Sequence, residues 1–399
     1  MKASSQQPRF ASVLQDAQSL TDELVRIRRA IHRTPELGFE EWQTQNRVIE
    51  YVSKVAPAAS CTPIAGSGVL ATLAKGAPAV LLRGCLDALP VQEETEAAYA
   101  STIEGKSHAC GHDGQVAILL GAVALLARTP PGIAVSALFQ PAEEIDTGAR
   151  AAIDAGVLEM VKPVAALGFH GDPRLGAGAF GVGPGPVMAS ITTIHATVEG
   201  RSGHGAEPNL TNDAVTAAAS LVLDWQVALA RRIDPRQPVV FSIGRIAGGT
   251  TPNVIPGRVD IDGTLRSLDP EIEPLLLRIL DDVARGVEAR TGARVEVRAD
   301  RVVPAVVNDV AVAAIAAEAV ETVFGEGSVV AAEPTLGGDD FAWYLRQVPG
   351  CYVFIGERQR DRGPYGWHDT AYDLDEAALP VGAAALAAIV YRFAKGGLG

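Results

Sequence analysis

Apolar residues in the first half of the chain form two kinds of run, short ones typical of buried strands and longer ones typical of helices. The strand-like runs cover 68–73, 79–83, 134–139 and 165–170, and the helical ones cover 20–55 (interrupted at Pro35 and Gly38), 114–127 and 149–155. Strands that alternate with helices build a sheet covered by helices, so this half is predicted to be an α/β domain.

The pattern changes after the glycine- and proline-rich stretch 181–186, which resembles a hinge between domains. The elements predicted next are strand 191–198, helix 212–232, strands 239–246 and 258–265, helix 270–291 and strand 294–298. This βαββαβ order is typical of a small ferredoxin-like α+β domain. Helices and short strands return after Pro304, which predicts a catalytic domain formed by 1–186 and 305–399 with an inserted domain at 187–304.

Composition narrows the class of protein. The 399 residues are 48% hydrophobic and 20% charged, as in globular proteins, and the length suggests two domains. A net charge of -13 argues against a nucleic-acid partner, which would require a basic face. The polar N-terminus has no apolar signal-peptide core, apolar runs are too short to span a membrane, and four cysteines are too few for a disulfide scaffold. These features predict a cytoplasmic enzyme without a membrane partner.

The densest cluster of reactive side chains is His108-Ala-Cys110-Gly-His112-Asp113, where a polar loop meets an apolar helix. Thiolate and imidazole are ligands for Zn²⁺ and neighbouring transition metals, and two of them two residues apart can reach one ion. The alternative is an ordinary loop with a buried thiol.

Two adjacent carboxylates, Glu143 and Glu144, follow the predicted strand 134–139. Active sites of open α/β sheets lie at the carboxyl ends of strands, and a metallohydrolase needs one carboxylate to hold the metal and another to take a proton from water. A solvated acidic turn is the alternative. His170 and His368 are weak signals separately, but with His108 and His112 they place four of only seven histidines in the same half of the predicted architecture.

Several segments together resemble the M20 family of metallopeptidases. The matching segments, which extend over nearly the whole chain, are 32–41 (HRTPELGFEE), 83–90 (RGCLDALP), 108–113 (HACGHD), 139–144 (FQPAEE), 203–204 (GH), 253–256 (NVIP), 263–266 (GTLR) and 338–341 (GDDF). The resemblance is strongest to the aminoacylase/amidohydrolase subfamily, which includes hippurate hydrolases and auxin–amino acid conjugate hydrolases.

The resemblance implies a metal-dependent exopeptidase-like catalytic domain with an inserted lid that mediates dimerisation. It implies one or two divalent ions (Zn²⁺, Mn²⁺, Co²⁺ or Ni²⁺) and Glu143 as the general base. The implied metal ligands are Cys110, His112, Glu144, His170 and His368. In similar enzymes the lid residues that match His204, Asn253 and Arg266 serve the substrate: His204 stabilises the oxyanion in the partner's site, and Arg266 binds the substrate carboxylate. A surface ion pair is the alternative for Arg266. Asp87 is expected to orient a ligand histidine.

The chain departs from the subfamily pattern at several positions near the predicted site. Cys85 stands where an aspartate is usual, and it is either a small buried residue or a second thiolate near the metal that favours Zn²⁺. Gln115 replaces a common histidine, Asp339 replaces a glutamate, and Thr370 lies where a proline is common nearby. The predicted ligands and base are retained.

The function predicted from these features is hydrolysis of the C–N bond of a small-molecule amide, an N-acyl or N-aroyl amino acid, by a homodimer. A dipeptidase or an aromatic-amine aminohydrolase on the same scaffold remains an alternative. A non-catalytic metal-binding protein is a further alternative, and retention of Glu143 with the five ligands argues against it.

Overall fold

The computed structural model describes residues 7–359 and 365–396. They form two compact units. The first comprises the described residues up to Gly185 together with Val307–Glu333 and the described residues from Asp340 onward. The second comprises Pro186–Val306 and Pro334–Asp339.

The helices and strands agree closely with the hydrophobic pattern. The helices are α1 (Gln7–Gln18), α2 (Thr21–His32), α3 (Trp42–Val55), α4 (His112–Arg128), α5 (Gly148–Asp154), α6 (Val157–Val161), α7 (Ala214–Arg232), α8 (Glu273–Thr291), α9 (Val310–Phe324), α10 (Ala342–Leu345) and α11 (Ala378–Ala394). The strands are β1 (Ser60–Ile64), β2 (Gly68–Ala74), β3 (Ala79–Cys85), β4 (Ala134–Gln140), β5 (Ala165–Asp172), β6 (Phe180–Gly181), β7 (Gly185–Met188), β8 (Ser190–Glu199), β9 (Gly203–His204), β10 (Val239–Gly248), β11 (Val254–Ile255), β12 (Arg258–Ser267), β13 (Arg294–Val303), β14 (Val306–Asn308), β15 (Val329–Val330) and β16 (Gly350–Gly356). The region predicted to be helical over 20–55 is divided into α2 and α3 at the predicted interruption.

The first unit is built on a mixed eight-stranded sheet with the strand order β1-β2-β4-β3-β5-β16-β6-β15. The four central strands, β4, β3, β5 and β16, are parallel to one another and buried along their whole lengths. Parallel strands end at the same edge of a sheet, so the residues that follow β3, β4 and β5 are brought together there.

Helix α4 is buried on nearly all sides and forms the centre of the helical layer of this unit. Its residues from His112 to Leu126 are all buried, and it packs against α2, α3 and α11. A helix that is apolar all round is stable only inside a protein, which explains why the sequence here has no polar face. The first turn of α4 therefore lies in the interior of the unit.

The second unit has a four-stranded antiparallel sheet with the order β10-β12-β8-β13 and two helices, α7 and α8. Strands β8 and β12 alternate between buried and more exposed residues, so one face of the sheet packs on the helices around Trp225. This is the predicted βαββαβ order. Residues 334–339, which lie in the predicted third segment, also belong to this unit because the backbone N–H of Ala189 bonds to the carbonyls of Thr335 and Gly337.

Candidate metal centre

Cys110 and His112 lie at the buried N-terminus of α4. Gly111 between them has φ +76°, a left-handed conformation that favours glycine, and a Cβ there would come within 2.5 Å of the Tyr372 hydroxyl. Both ligand candidates are buried. The glycine thus allows the sharp turn that places a thiol and an imidazole at the start of one helix.

The segment after β4 carries Glu143 and Glu144 and is fixed through its backbone. Ala142 has φ +56°, and its N–H donates to Glu41 Oε1 over 2.8 Å. The N–H of Glu144 donates to Asp87 Oδ2, also over 2.8 Å. These two buried carboxylates hold the turn, so the neighbouring glutamate side chains project from a defined backbone.

The two buried histidines are oriented by backbone carbonyls. His112 Nδ1 lies 2.9 Å from the carbonyl oxygen of Asp87, and His170 Nδ1 lies 2.8 Å from that of Gly171. A carbonyl only accepts, so both Nδ1 atoms carry a proton, and each Nε2 presents a lone pair once its ring is neutral. Asp87 Oδ1 is 3.3 Å from His112 Nδ1.

The candidate ligands converge from distant segments of the first unit. Cys110 Sγ lies 3.4 Å from His170 Nε2, and His368 Nε2 lies 3.4 Å from Glu144 Oε2. His112 Nε2 is 3.7 Å from Glu143 Oε2 and 3.8 Å from Glu144 Oε1. His368 has φ +69° and is tied to the cluster by its N–H, which donates to the carbonyl of Ala109.

The five residues predicted as ligands form two overlapping groups that share the thiol of Cys110. In one group Cys110 is joined by His112 and His170, and in the other by Glu144 and His368. The donor atoms within each group lie within 4.8 Å of one another, a spacing compatible with bonds of about 2.0–2.3 Å to a common ion. His112 Nε2 is buried and has no hydrogen-bond partner among the described residues. The donor set therefore fits a transition-metal ion.

The electrostatics of the cluster also favour a cation. Burial and the charges of Glu144 and Glu143 raise the pKa of the Cys110 thiol well above its usual value. Burial lowers the pKa of His112, but the hydrogen bond with Asp87 and the charge of Glu144 outweigh it and raise that pKa to about 9. Because ligands bind metals in their deprotonated forms, metal uptake at this centre must release protons.

The candidate substrate residues lie in the second unit. Strand β9 pairs with β11, and this ribbon brings His204 close to Asn253, since the N–H of Gly205 donates to the carbonyl of Asn253. Both side chains are exposed. Arg266 is half-buried on β12 and donates from Nη1 to the carbonyl of Leu336 over 2.9 Å. One end of its guanidinium group is thus bonded to the backbone, whereas the alternative expected from the sequence was a surface ion pair.

A buried charge network behind the centre was not foreseen from the sequence. Arg28 on α2 donates to Asp113 and to Asp373, each over 2.6 Å, and His32 Nδ1 lies 2.8 Å from Asp113. Asp113 adjoins His112, so the network fixes the first turn of α4. A lone arginine in an amphipathic pattern is usually solvated, and so the sequence carried no signal for this role.

Glu36 and Glu41 were part of the family-like segment 32–41 but had no assigned role. Glu36 accepts hydrogen bonds from the N–H groups of Gln43 and Thr44 and thereby caps the start of α3. Glu41 holds the backbone before Glu143. Glu36 and Glu41 therefore both have structural roles.

Known protein families and structures that are similar to this chain also include metal-binding hydrolases. The sequence profile of Peptidase family M20/M25/M40 matches residues 81–392. The chain belongs to this family. As a member of a family of peptidases it is a hydrolase of amide bonds, so the predicted family and enzyme class are confirmed.

Individual relatives match over almost their whole lengths. N-acetylcysteine deacetylase of Bacillus subtilis is 36% identical over 93% of this chain and 98% of its own. IAA-amino acid hydrolase ILR1-like 5 of Arabidopsis thaliana is 34% identical over 98% of this chain and 91% of its own. The crystal structure of a dinuclear metal-binding peptidase of the M20 family from Bacillus subtilis superposes with a TM-score of 0.82 at 31% identity, covering 95% and 99% of the two chains.

None of the helices in the described part of the chain combines the length and hydrophobicity that a membrane crossing requires.

Proposed function

We propose that this enzyme is a metal-dependent amidohydrolase that removes the acyl group from N-acyl or N-aroyl amino acids. The observation that carries the proposal is the convergence of Glu143 and Glu144 on the Nε2 lone pair of His112, at 3.7 and 3.8 Å. The relatives that act on N-acetylated and auxin-conjugated amino acids support the substrate class.

We assign metal binding to Cys110, His112, Glu144, His170 and His368. A divalent ion held by these residues would lower the pKa of water toward about 7 and would polarise the carbonyl to be attacked. We propose one or two ions of Zn²⁺, Mn²⁺, Co²⁺ or Ni²⁺, since imidazole, carboxylate and thiolate together suit this group of metals.

Glu143 is assigned the proton transfers. Its carboxylate takes a proton from the attacking water and later delivers one to the leaving nitrogen, so that the amine departs neutral. We assign Glu144 to the metal because its Oε2 lies 3.4 Å from His368 Nε2, which leaves Glu143 available for this role on a turn held by Glu41 and Asp87. A base works only within hydrogen-bond reach of its water, and this fixed turn supplies that constraint.

The second unit is proposed to act as a lid and dimerisation domain. Exposed His204, supported through the β9–β11 ribbon, is suited to stabilise an oxyanion in the active site of a second copy, with Asn253 beside it. The guanidinium of Arg266 is suited to bind the substrate carboxylate because its planar fork can form paired hydrogen bonds. We propose a homodimer that works in the cytoplasm.

The test is Glu143→Ala in the metal-loaded enzyme. Purified protein loaded in turn with each of the four metals is assayed for amine release from N-acyl and N-aroyl amino acids and dipeptides, and for ammonia release from aminobenzoates. Metal content is read by elemental analysis. We expect hydrolysis of N-acyl or N-aroyl amino acids by the wild type and a loss of about 10²–10⁴-fold in Glu143→Ala with metal retained.

Glu159→Ala, at an exposed glutamate on α6 of the same unit, is the matched control and should behave as wild type. Near-wild-type rates in Glu143→Ala would contradict the assigned mechanism. Turnover confined to dipeptides or aminobenzoates would replace the proposed substrate by a dipeptide or an aromatic amine.

A further inference from the structure

We infer that Cys85 is a further ligand of the metal centre, which gives the site a second thiolate and a preference for thiophilic metals such as Zn²⁺. This inference rests on the proposed function in one respect only, namely that a metal ion binds at the site.

The geometry places the thiol of Cys85 beside the ligand imidazole of His112 and the carboxylate of Glu143, the proposed base. The thiol, a ring nitrogen of His112 and a carboxylate oxygen of Glu143 all lie within 4.8 Å of one another, and all three residues are buried. His112 Nδ1 is taken up by the carbonyl of Asp87, so Nε2 is the nitrogen available to a metal. That atom is buried without a hydrogen-bond partner in the described part of the chain, which independently fits a role as a metal ligand.

The backbone holds Cys85 in this position from both sides. Cys85 is the last residue of β3 and pairs in register with Gln140 of β4, and the N–H of the following Leu86 donates to the carbonyl of Gln140. The N–H of Cys85 donates to Gln115 Oε1 over 3.0 Å. Gln115 lies on α4 one turn after His112, so Cys85 is fixed to the same helical turn that presents the ligand imidazole.

Burial alone does not explain the placement of this cysteine, as a second buried cysteine shows. Cys351 lies in β16 of the same sheet, is fully buried, and packs in the apolar core with its Sγ 3.6 Å from the carbonyl of Tyr352. It belongs to none of the candidate ligand groups among the described residues. Cys85, by contrast, ends its strand at the sheet edge where the candidate ligands meet.

The presence of Cys85 where the subfamily usually has an aspartate then has a chemical explanation. Thiolate and carboxylate carry the same charge, so the exchange keeps the charge of the ligand set. It replaces a hard oxygen donor by a soft sulfur donor, which favours Zn²⁺ and Co²⁺ over Mn²⁺. Cys85 is therefore expected to set metal preference rather than the course of the reaction.

The experiment measures sulfur ligation directly. Wild type, Cys85→Ser, Cys110→Ser, the double variant and Cys351→Ser are loaded with Co²⁺, and the thiolate-to-cobalt charge-transfer band in the near ultraviolet is recorded per bound ion. We expect about half of the wild-type intensity in each of Cys85→Ser and Cys110→Ser, none in the double variant, and full intensity in Cys351→Ser, since the band requires a coordinated thiolate.

Competition between Zn²⁺ and Mn²⁺, read by elemental analysis, provides the second measurement. In Cys85→Asp we expect the Zn²⁺/Mn²⁺ ratio to fall at least about tenfold, because the soft donor is lost and the charge is kept. Circular dichroism establishes that each variant is folded. If Cys85→Ser does not fold, the band that persists in Cys110→Ser still reports Cys85.

Each outcome decides the inference. An unchanged band in folded Cys85→Ser, or no band in Cys110→Ser that still binds cobalt, overturns the assignment of Cys85 while leaving the proposed hydrolase intact. A wild-type protein that binds no metal overturns both. Loss of N-acyl amino acid turnover with normal sulfur ligation affects only the proposed function.

Discussion

The side-chain oxygen of Gln115 accepts a 3.0 Å hydrogen bond from the backbone N–H of Cys85. Both residues are departures from the pattern of the subfamily, and the structure shows them in contact at the edge of the candidate metal centre. The two substitutions thus form one local change, in which a residue on α4 positions a residue at the end of β3.

This contact predicts energetic coupling between the two positions. Gln115→Leu leaves the buried N–H of Cys85 without its acceptor, so the thiol loses its support. We expect Zn²⁺ affinity to fall about tenfold, in the range found when groups that orient metal ligands are removed. In a Cys85→Ser background the same change should have little effect, because the ligand that it positions is gone. Competition with a chromophoric chelator measures the affinities.

Gln92→Leu is the matched control, since Gln92 is exposed and its side-chain oxygen accepts a hydrogen bond from the N–H of Gly105. An equal loss of affinity from Gln115→Leu in both backgrounds would show that Gln115 does not act through Cys85.

Glu41 is predicted to be a positioning residue for the catalytic turn. One of its oxygens accepts the N–H of Ala142 and the other accepts the Ser67 hydroxyl. In Glu41→Gln a single amide oxygen remains for two donors, and loss of a hydrogen bond to a charged group costs about 1.5–3 kcal/mol. We expect kcat to fall about tenfold or more with KM and metal content nearly unchanged, because about 1.4 kcal/mol corresponds to a factor of ten.

The pH profile gives a readout that a purely structural role would not change. Burial raises the pKa of Glu41 to about 7, so we expect an inflection near neutral pH in the pH profile of the wild-type kcat. This inflection should disappear in Glu41→Gln. Glu40→Gln, at the exposed neighbour paired with Lys106, is the control. A folded Glu41→Gln with wild-type kcat and an unchanged pH profile would refute the role.

We predict that the contribution of His32 to the stability of the folded protein is lost at alkaline pH. Burial lowers its pKa, but the charge of Asp113 and hydrogen bonds to Asp113 and Glu93 outweigh burial and raise it to about 9. The unfolded value is about 6.5, so the charged imidazole stabilises the fold fully below that pH and ceases to do so as the pH rises through 9. The stability difference between wild type and His32→Gln should shrink over this window by on the order of 3 kcal/mol.

Urea midpoints at pH values spanning the window, at saturating metal, measure this difference. His195→Gln is the control, since His195 is a half-buried histidine on β8 of the second unit. A wild-type-minus-variant difference that stays constant across the window would mean that folding does not raise the pKa of His32.

Candidate site residues could be predicted from the sequence where they lie close together in the chain. The residues around Cys110 and Glu143 are adjacent in the chain, and strand ends follow from hydrophobic runs, so both the segments and their meeting at one sheet edge could be predicted. Hydrogen bonds between residues far apart in the chain could not be predicted. The bond from Arg28 to Asp113 joins two helices, and the bond from the N–H of Ala142 to Glu41 joins the segment after β4 to the residue before α3. Neither bond leaves a periodic signal in a single sequence.

Cys85 shows a third situation. Its departure from the subfamily pattern is visible in the sequence. The sequence alone, however, does not distinguish a small buried residue from a metal ligand. Only the positions of His112 and Glu143 around its thiol separate these two interpretations.

The strand order has a consequence for synthesis of the protein on the ribosome. Strand β5, which carries His170, lies between β3 and β16, yet β16 follows the whole second unit in the chain. Until residues 350–356 have been made, one side of an apolar strand has no neighbour, and such an unpaired edge readily joins other chains. The nascent chain must protect this edge while more than a hundred residues are added, and a chain that stops before β16 exposes a template for aggregation.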